Sequence, residues 1–246
     1  MLLIWILVFS VLGSVGAIAG AALMLLFPEG TRKTLLPCLL SYATGTLLGA
    51  AFLGMIPKAL QQAMPLAISS TVLAGIIIFF MLEKIIIWRH CHDSECEVHG
   101  AAGPLILIGD AFHNFVDGFV IAAAFITSVP LGIAASLAVI AHEIPQEVGD
   151  FAILLENGYS RTRALALNTL SSLTTLPAAV IAYFFLGTVQ EAVPFILALS
   201  AASFIYIAIA DLVPGLHRQV GLRPAIMQLI LVLAGIATIS LFQLAH

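Results

Sequence analysis

The chain has 246 residues, of which 61% are hydrophobic and only 9% charged, with a mean hydropathy of +1.14. A soluble domain carries roughly a quarter charged residues, so nine basic and thirteen acidic side chains cannot clothe a water-exposed surface of this size, and lipid must be the solvent for most of it. A formal net charge of −4 excludes the clustered positive charge that nucleic acid requires, and three cysteines make no disulfide framework.

Apolar runs of about 20 residues cross a bilayer as helices, because lipid offers no partner to an exposed backbone amide. Eight such spans are predicted: 2–26, 35–57, 66–88, 103–127, 131–155, 164–187, 191–213 and 222–244. The first could be read as a secretory leader, since Ala17, Ile18 and Ala19 imitate a cleavage site. No Lys or Arg precedes it and the apolar run continues to Phe27, so it is taken as helix one. Pro57 and Pro214 are expected to end spans two and seven.

Arg32, Lys33, Lys84, Arg89, Arg161, Arg163, Arg218 and Arg223 fall in alternate connections, with Lys58 the exception. By the positive-inside rule those connections are cytoplasmic and both termini lie outside. This predicts a multi-pass protein of the cell (plasma or inner) membrane.

The connection after span three, residues 89–102, reads as a cytoplasmic loop rich in His and Cys. His90, Cys91, His92, Cys96 and His99 place five nitrogen or sulfur donors within ten residues, a borderline-soft set suited to zinc or copper(I). Their spacing fits no structural zinc site, so the reading is a low-specificity accessory metal-collecting loop.

Spans four and five carry the main signal. Asp110, His113, Asn114 and Asp117 form one helical stripe in span four; His142, Glu143, Gln146, Glu147 and Asp150 form another in span five. The short connection Ser128-Val129-Pro130 makes the two spans antiparallel neighbours. An ionisable group near the bilayer centre costs at least about 2.5–3.5 kcal/mol. Neither span holds a Lys or Arg, so the missing positive charge points to a bound cation. Imidazole with carboxylate suits Zn²⁺ and would also admit Fe²⁺, Mn²⁺ or Cd²⁺. Pro145 frees the carbonyl of Ala141 and should kink span five beside these residues. In span six, Asn168, Ser171, Ser172 and Thr175 share a stripe that serves either helix packing or a pathway.

His113-Asn114-Phe115-Val116-Asp117-Gly118 and His142-Glu143-Ile144-Pro145-Gln146-Glu147-Val148-Gly149-Asp150 resemble the paired signatures of the ZIP (Zrt/Irt-like) metal transporters, over the whole chain. The resemblance implies an all-α polytopic membrane protein, residues 1–246 forming one transmembrane domain. Its eight helices would be arranged 3+2+3, with inverted repeats around helices four and five. It implies a first metal position of His113, Asp117, His142 and Gln146, a second of Asn114, Glu143 and Gln146, and Glu147 in either position or on the exit path. Gln146 stands where many members have His or Glu. A neutral amide leaves two cations repelling each other, so poor double occupancy is expected. Within the repeats, laying Pro57 on Pro214 also lays Thr46 on Ser203.

The reading is therefore a transporter moving zinc, as substrate, from outside into the cytoplasm, with no organic cofactor and no enzymatic activity. Gly109, Gly118 and Gly149 would let helices approach closely, and a surface rich in Ala, Gly and Leu permits a homodimer. Two alternatives remain: an intramembrane metalloprotease, since His142-Glu143-x-x-Gln146 is one residue from a two-histidine zinc helix, and a metal sensor without flux.

Overall fold

The computed structural model describes residues 1–88 and 102–244, and among these it contains helices and no strand. The loop residues His90, Cys91, His92, Cys96 and His99 lie outside the described residues. Eight helices are long and apolar enough to span a bilayer: α1 (Leu2–Leu25), α2 (Glu29–Leu60), α3 (Pro65–Trp88), α4 (Ala102–Thr127), α5 (Val129–Glu156), α6 (Arg161–Thr188), α7 (Gln190–Leu216) and α8 (Leu222–Leu244). The chain is a multi-pass membrane protein.

Several ends differ from the sequence reading. Helix α2 begins at Glu29 rather than 35, because Glu29 and Lys33 pair across its first turn at 2.6 Å and a polar turn is stable where a helix emerges from lipid. A single residue, Ser128, separates α4 from α5 and caps α5 by accepting from the Leu131 amide at 3.3 Å. Ser160 caps α6 in the same way through the Arg163 amide.

Pro57 and Pro214 do not end their helices. Each is preceded by a π-helical stretch, Ala50–Met55 in α2 and Ile207–Leu212 in α7. The amide of Ile56 bonds to the carbonyl of Ala51, and that of Val213 to the carbonyl of Ala208, each closing a widened turn on the residue just before the proline. A proline ring collides with the carbonyl four residues back; widening the turn moves that carbonyl aside and lets the helix continue. Helix α5 likewise runs unbroken through Pro145.

The shift that lays Pro57 on Pro214 also lays Ala50–Met55 on Ile207–Leu212, and the first residue of α3 on the first of α8. Packing repeats with it. Helix α2 lies along α8 as α7 lies along α3, and α4 lies along α6 as α5 lies along α1. Because corresponding helices are five spans apart, an odd number, the repeats cross the membrane in opposite senses, giving the 3+2+3 architecture with α4 and α5 between them.

Close backbone crossings fall inside two groups. A Cβ on Gly45 would lie 2.1 Å from the Val232 carbonyl oxygen, and one on Gly235 would lie 2.4 Å from that of Tyr42, so α2 and α8 touch backbone to backbone. A Cβ on Gly118 of α4 would lie 2.3 Å from the Thr175 carbonyl oxygen of α6, while Gly75 of α3 faces the Ala202 side chain of α7 and Gly20 of α1 the Ile144 side chain of α5. Small residues allow such approach in lipid, where helices associate through packing rather than the hydrophobic effect. Gly118 plays the role the sequence suggested; Gly109 and Gly149 do not, since a Cβ on either meets nothing within 4 Å. Helices α1, α4, α5 and α6 thus form one tightly crossed set, and α2, α3, α7 and α8 another.

Gly45→Val should therefore lower the melting temperature of the purified protein, with a cost of at least the ~1–3 kcal/mol typical of overpacking, because the obstacle is backbone. Gly109→Ala should leave melting unchanged or raise stability by up to about 1 kcal/mol through helix propensity. Thermal unfolding followed by circular dichroism in detergent checks both.

Candidate metal centre

Helix periodicity brings the two stripes together. The offsets of three and seven residues from Asp110 bring His113 and Asp117 to the face of α4 where His142 and Glu143 meet them from α5, while Asn114, at an offset of four, turns toward α6. The Nε2 atoms of His113 and His142 are 3.0 Å apart. His113 Nε2 lies 3.3 Å from Glu143 Oε1 and 3.8 Å from Asp117 Oδ2; His142 Nε2 lies 3.3 Å from Asp117 Oδ2 and 3.5 Å from Glu143 Oε1. Asp117, His142 and Glu143 side chains are fully buried, whereas His113 retains 17% exposure, so the cluster opens past the His113 ring.

A tetrahedral ion with bonds of about 2.0–2.1 Å separates its ligand atoms by roughly 3.3 Å. The measured separations of 3.0–3.8 Å bracket that edge. His142 is also set chemically for ligation. Its Nδ1 is 2.9 Å from the Ala138 carbonyl oxygen; a carbonyl can only accept, so Nδ1 carries the proton and the Nε2 lone pair faces the cluster. No hydrogen bond reaches either oxygen of Asp117, Glu143 or Glu147, although all six atoms are buried. Buried carboxylates left this way are costly unless a cation joins them.

A second group adjoins the first. Ligand atoms of Asp110, Glu143 and Glu147 lie within 4.8 Å of one another, with Asp110 3% exposed and both glutamates fully buried. Glu143 belongs to both groups. Asp110 sits in the predicted stripe but was absent from the expected ligand sets; its place three residues before His113 on the same face was the signal. Asp150 is buried one turn beyond Glu147.

Helix α6 frames this second group. Ser171 donates to Asp110 Oδ2, Thr174 donates to the Ala111 carbonyl at 2.7 Å, and Asn168 Nδ2 donates to the Glu147 carbonyl at 3.3 Å. Asn114 donates through Nδ2 to Asp110 Oδ1 at 2.9 Å, and its Oδ1 accepts from Thr175 at 3.0 Å and Ser172 at 3.5 Å. The carboxamide is thus oriented by a carboxylate that can only accept, with its oxygen turned to α6 hydroxyls. Gln146 is half-buried on α5, one turn after His142. Met55 is fully buried in the apolar core, and Phe204 presents its ring to His142 edge-on with centroids 6.1 Å apart.

Comparison with known proteins identifies the family. Residues 88–243 match the family model described as ZIP Zinc transporter. Zinc transporter ZIP13 of Pongo abelii is 35% identical over 84% of this chain and 66% of its own length. Zinc transporter ZIP4 of Mus musculus is 43% identical over 51% of this chain, and zinc transporter foi of Drosophila melanogaster 36% identical over 61%. The chain covers just under two thirds of that ZIP13 protein, and 19% and 21% of the ZIP4 and foi proteins. By the family model, which matches more than half of its length, the chain belongs to the ZIP zinc transporter family.

Proposed function

We propose that this protein carries divalent metal cations, zinc foremost, across the cell membrane into the cytoplasm through the cluster on α4 and α5. The observation that carries the reading is the set of 3.0–3.8 Å separations among His113, Asp117, His142 and Glu143, the edge lengths of a tetrahedral ion with mixed nitrogen and oxygen donors. Asp117 and Glu143 bring two negative charges to a divalent ion, which lets it shed water without leaving net charge in a low-dielectric interior. Fe²⁺, Mn²⁺ and Cd²⁺ share enough of this coordination chemistry to compete.

The distribution of Lys and Arg supports an orientation with both termini outside and residues 89–102 in the cytoplasm. On that orientation His142, Glu143, Glu147 and Asp150 descend α5 toward the cytoplasm, an order suited to stepwise release. The two sets of tightly crossed helices support a movement in which α4 and α5, locked to α1 and α6, slide or rock against α2, α3, α7 and α8. Gln146 and Asn114 would act at the margin of the cation, and the permissive outer surface leaves room for a homodimer that transport does not require. A hydrolytic site would need an open coordination position for water, whereas four donors already converge here.

Metal uptake into liposomes containing only this protein tests the reading: flux is expected, and proteolysis or binding without flux would overturn it. His142→Ala or Asp117→Ala should reduce uptake to background while the protein stays folded and monodisperse in detergent. Near-normal uptake by either would refute the site.

Replacing His90, Cys91, His92, Cys96 and His99 together should lower metal capture at the cytoplasmic face yet retain flux. Complete loss of uptake with normal membrane insertion would contradict an accessory role for the loop.

A further inference from the structure

We infer that the starts of α2 and α8 together seat the headgroup of an anionic phospholipid, its phosphate held by Lys33 and Arg223 with Arg32 and Arg218 beside them. The seat shares no residue with the metal centre, and the orientation proposed above assigns the lipid to the cytoplasmic leaflet.

Chain topology creates this corner. Cys38 Sγ lies 4.0 Å from Met227 Sδ, and further along both helices Gly45 meets Val232. Contacts in that order mean that α2 and α8 run parallel, with their starts side by side at one face. One turn before Cys38 and Met227 stand Thr34 and Arg223, with Lys33 next to Thr34, and both bases are exposed. Gln228 Nε2 donates to the Leu216 carbonyl at 3.1 Å, which holds the connection carrying His217 and Arg218 against the second turn of α8. Gly221, at φ +131°, turns the chain from that connection into the helix, a conformation glycine adopts without strain. Arg32 and Lys33 from the first connection thus meet Arg218 and Arg223 from the last.

Charge at the corner exceeds what its acids offset. Among the described residues Lys33 alone of the four bases is in an ion pair, with Glu29 at 2.6 Å, and the two side chains are 74% and 70% exposed, so water or a stronger anion readily replaces that contact. Arg32 Nε is buried without a hydrogen-bond partner. Guanidinium groups pair with phosphate through two parallel hydrogen bonds, and the positive dipole ends of two helices add to the attraction. What makes the occupant a lipid rather than a free phosphate is the surface beside these bases. Arg223, Ile226, Ile230 and Leu233 follow at offsets of three, seven and ten, one helical stripe, and its three apolar members are exposed. An acyl chain lies along that stripe while the Lys and Arg stems reach back to headgroup level. The cytoplasmic leaflet is also the one that carries anionic lipid.

Native mass spectrometry of the full chain in detergent, titrated with phosphatidylglycerol, phosphatidylcholine or glycerol phosphate, tests the seat. Phosphatidylglycerol should bind about tenfold more tightly than phosphatidylcholine or more, and glycerol phosphate, which lacks the acyl chains, should bind far more weakly than phosphatidylglycerol. Lys33→Gln and Arg223→Gln should each weaken phosphatidylglycerol about fivefold, the worth of one basic residue near an anionic surface. Arg161→Gln removes the same charge from the connection between α5 and α6 and should change that affinity less than about twofold. Equal affinity for the two lipids in the unmutated protein overturns the seat, and that comparison decides it even where a variant misfolds. Unchanged affinity in folded Lys33→Gln and Arg223→Gln overturns it as well. So does an equal loss in Arg161→Gln, which would mean diffuse attraction of every cytoplasmic base to anionic lipid. Glycerol phosphate binding as tightly as phosphatidylglycerol would show an anion site that no lipid requires, and would likewise overturn it.

Discussion

The constraint on which this structure depends is negative charge without a protein counter-charge. Asp110, Asp117, Glu143, Glu147 and Asp150 are buried between α4 and α5, and neither helix supplies a Lys or Arg. Carboxylates taken from water into a poorly polarisable interior are tolerated only if hydrogen bonds, shared protons or cations replace the lost hydration. Here hydrogen bonds reach Asp110 but leave Asp117, Glu143 and Glu147 bare. Burying these groups without partners lowers folding stability and leaves an arrangement that a cation would complete.

That expense must be borne by packing, and the packing is unusually close. Where the backbone of one helix touches that of another, as at Gly45 with Val232 and at Gly118 with Thr175, van der Waals contact is maximised without relying on an apolar driving force that lipid does not provide. The closest glycine-mediated approaches fall within two sets of four helices, although α5 also packs along α2 across the boundary between the sets. Helices α2 and α7 carry two of the three π-helical stretches among the described residues, the third being Leu12–Gly16 in α1. Helix α6, joined to α4 by Thr174 and to α5 by Asn168, keeps the acidic pair in register with each other.

Much of this was legible in the sequence, for identifiable reasons. The eight spans follow from the length of apolar runs, and the meeting of the α4 and α5 stripes follows from helical spacing plus a short connection, both local properties; the expected first set nevertheless named Gln146 where the structure groups Glu143 with His113, Asp117 and His142. The ends of α2 and α7 were misread because a proline usually breaks a helix, and a widened turn that accommodates it has no sequence marker. The roles of Gly45, Gly75 and Gly235, and the idleness of Gly109 and Gly149, depend on which helix lies opposite, a long-range fact. Asp110 was seen on the right face but not as a partner of Glu147. The direction of Asn114 was hidden for the same reason: its orientation is set by Ser172 and Thr175, more than fifty residues away in the chain.

Glu143 lies within reach of both groups, the two histidines on one side and Asp110 with Glu147 on the other. A carboxylate shared by two clusters ties their charge states together, because whatever neutralises one changes the repulsion felt by the other where water does not screen it. Asp117 adjoins the histidine cluster alone, so on the proposed reading a cation there would keep one undivided carboxylate. Binding strong enough to strip water yet weak enough to release is the condition any permeation pathway has to meet.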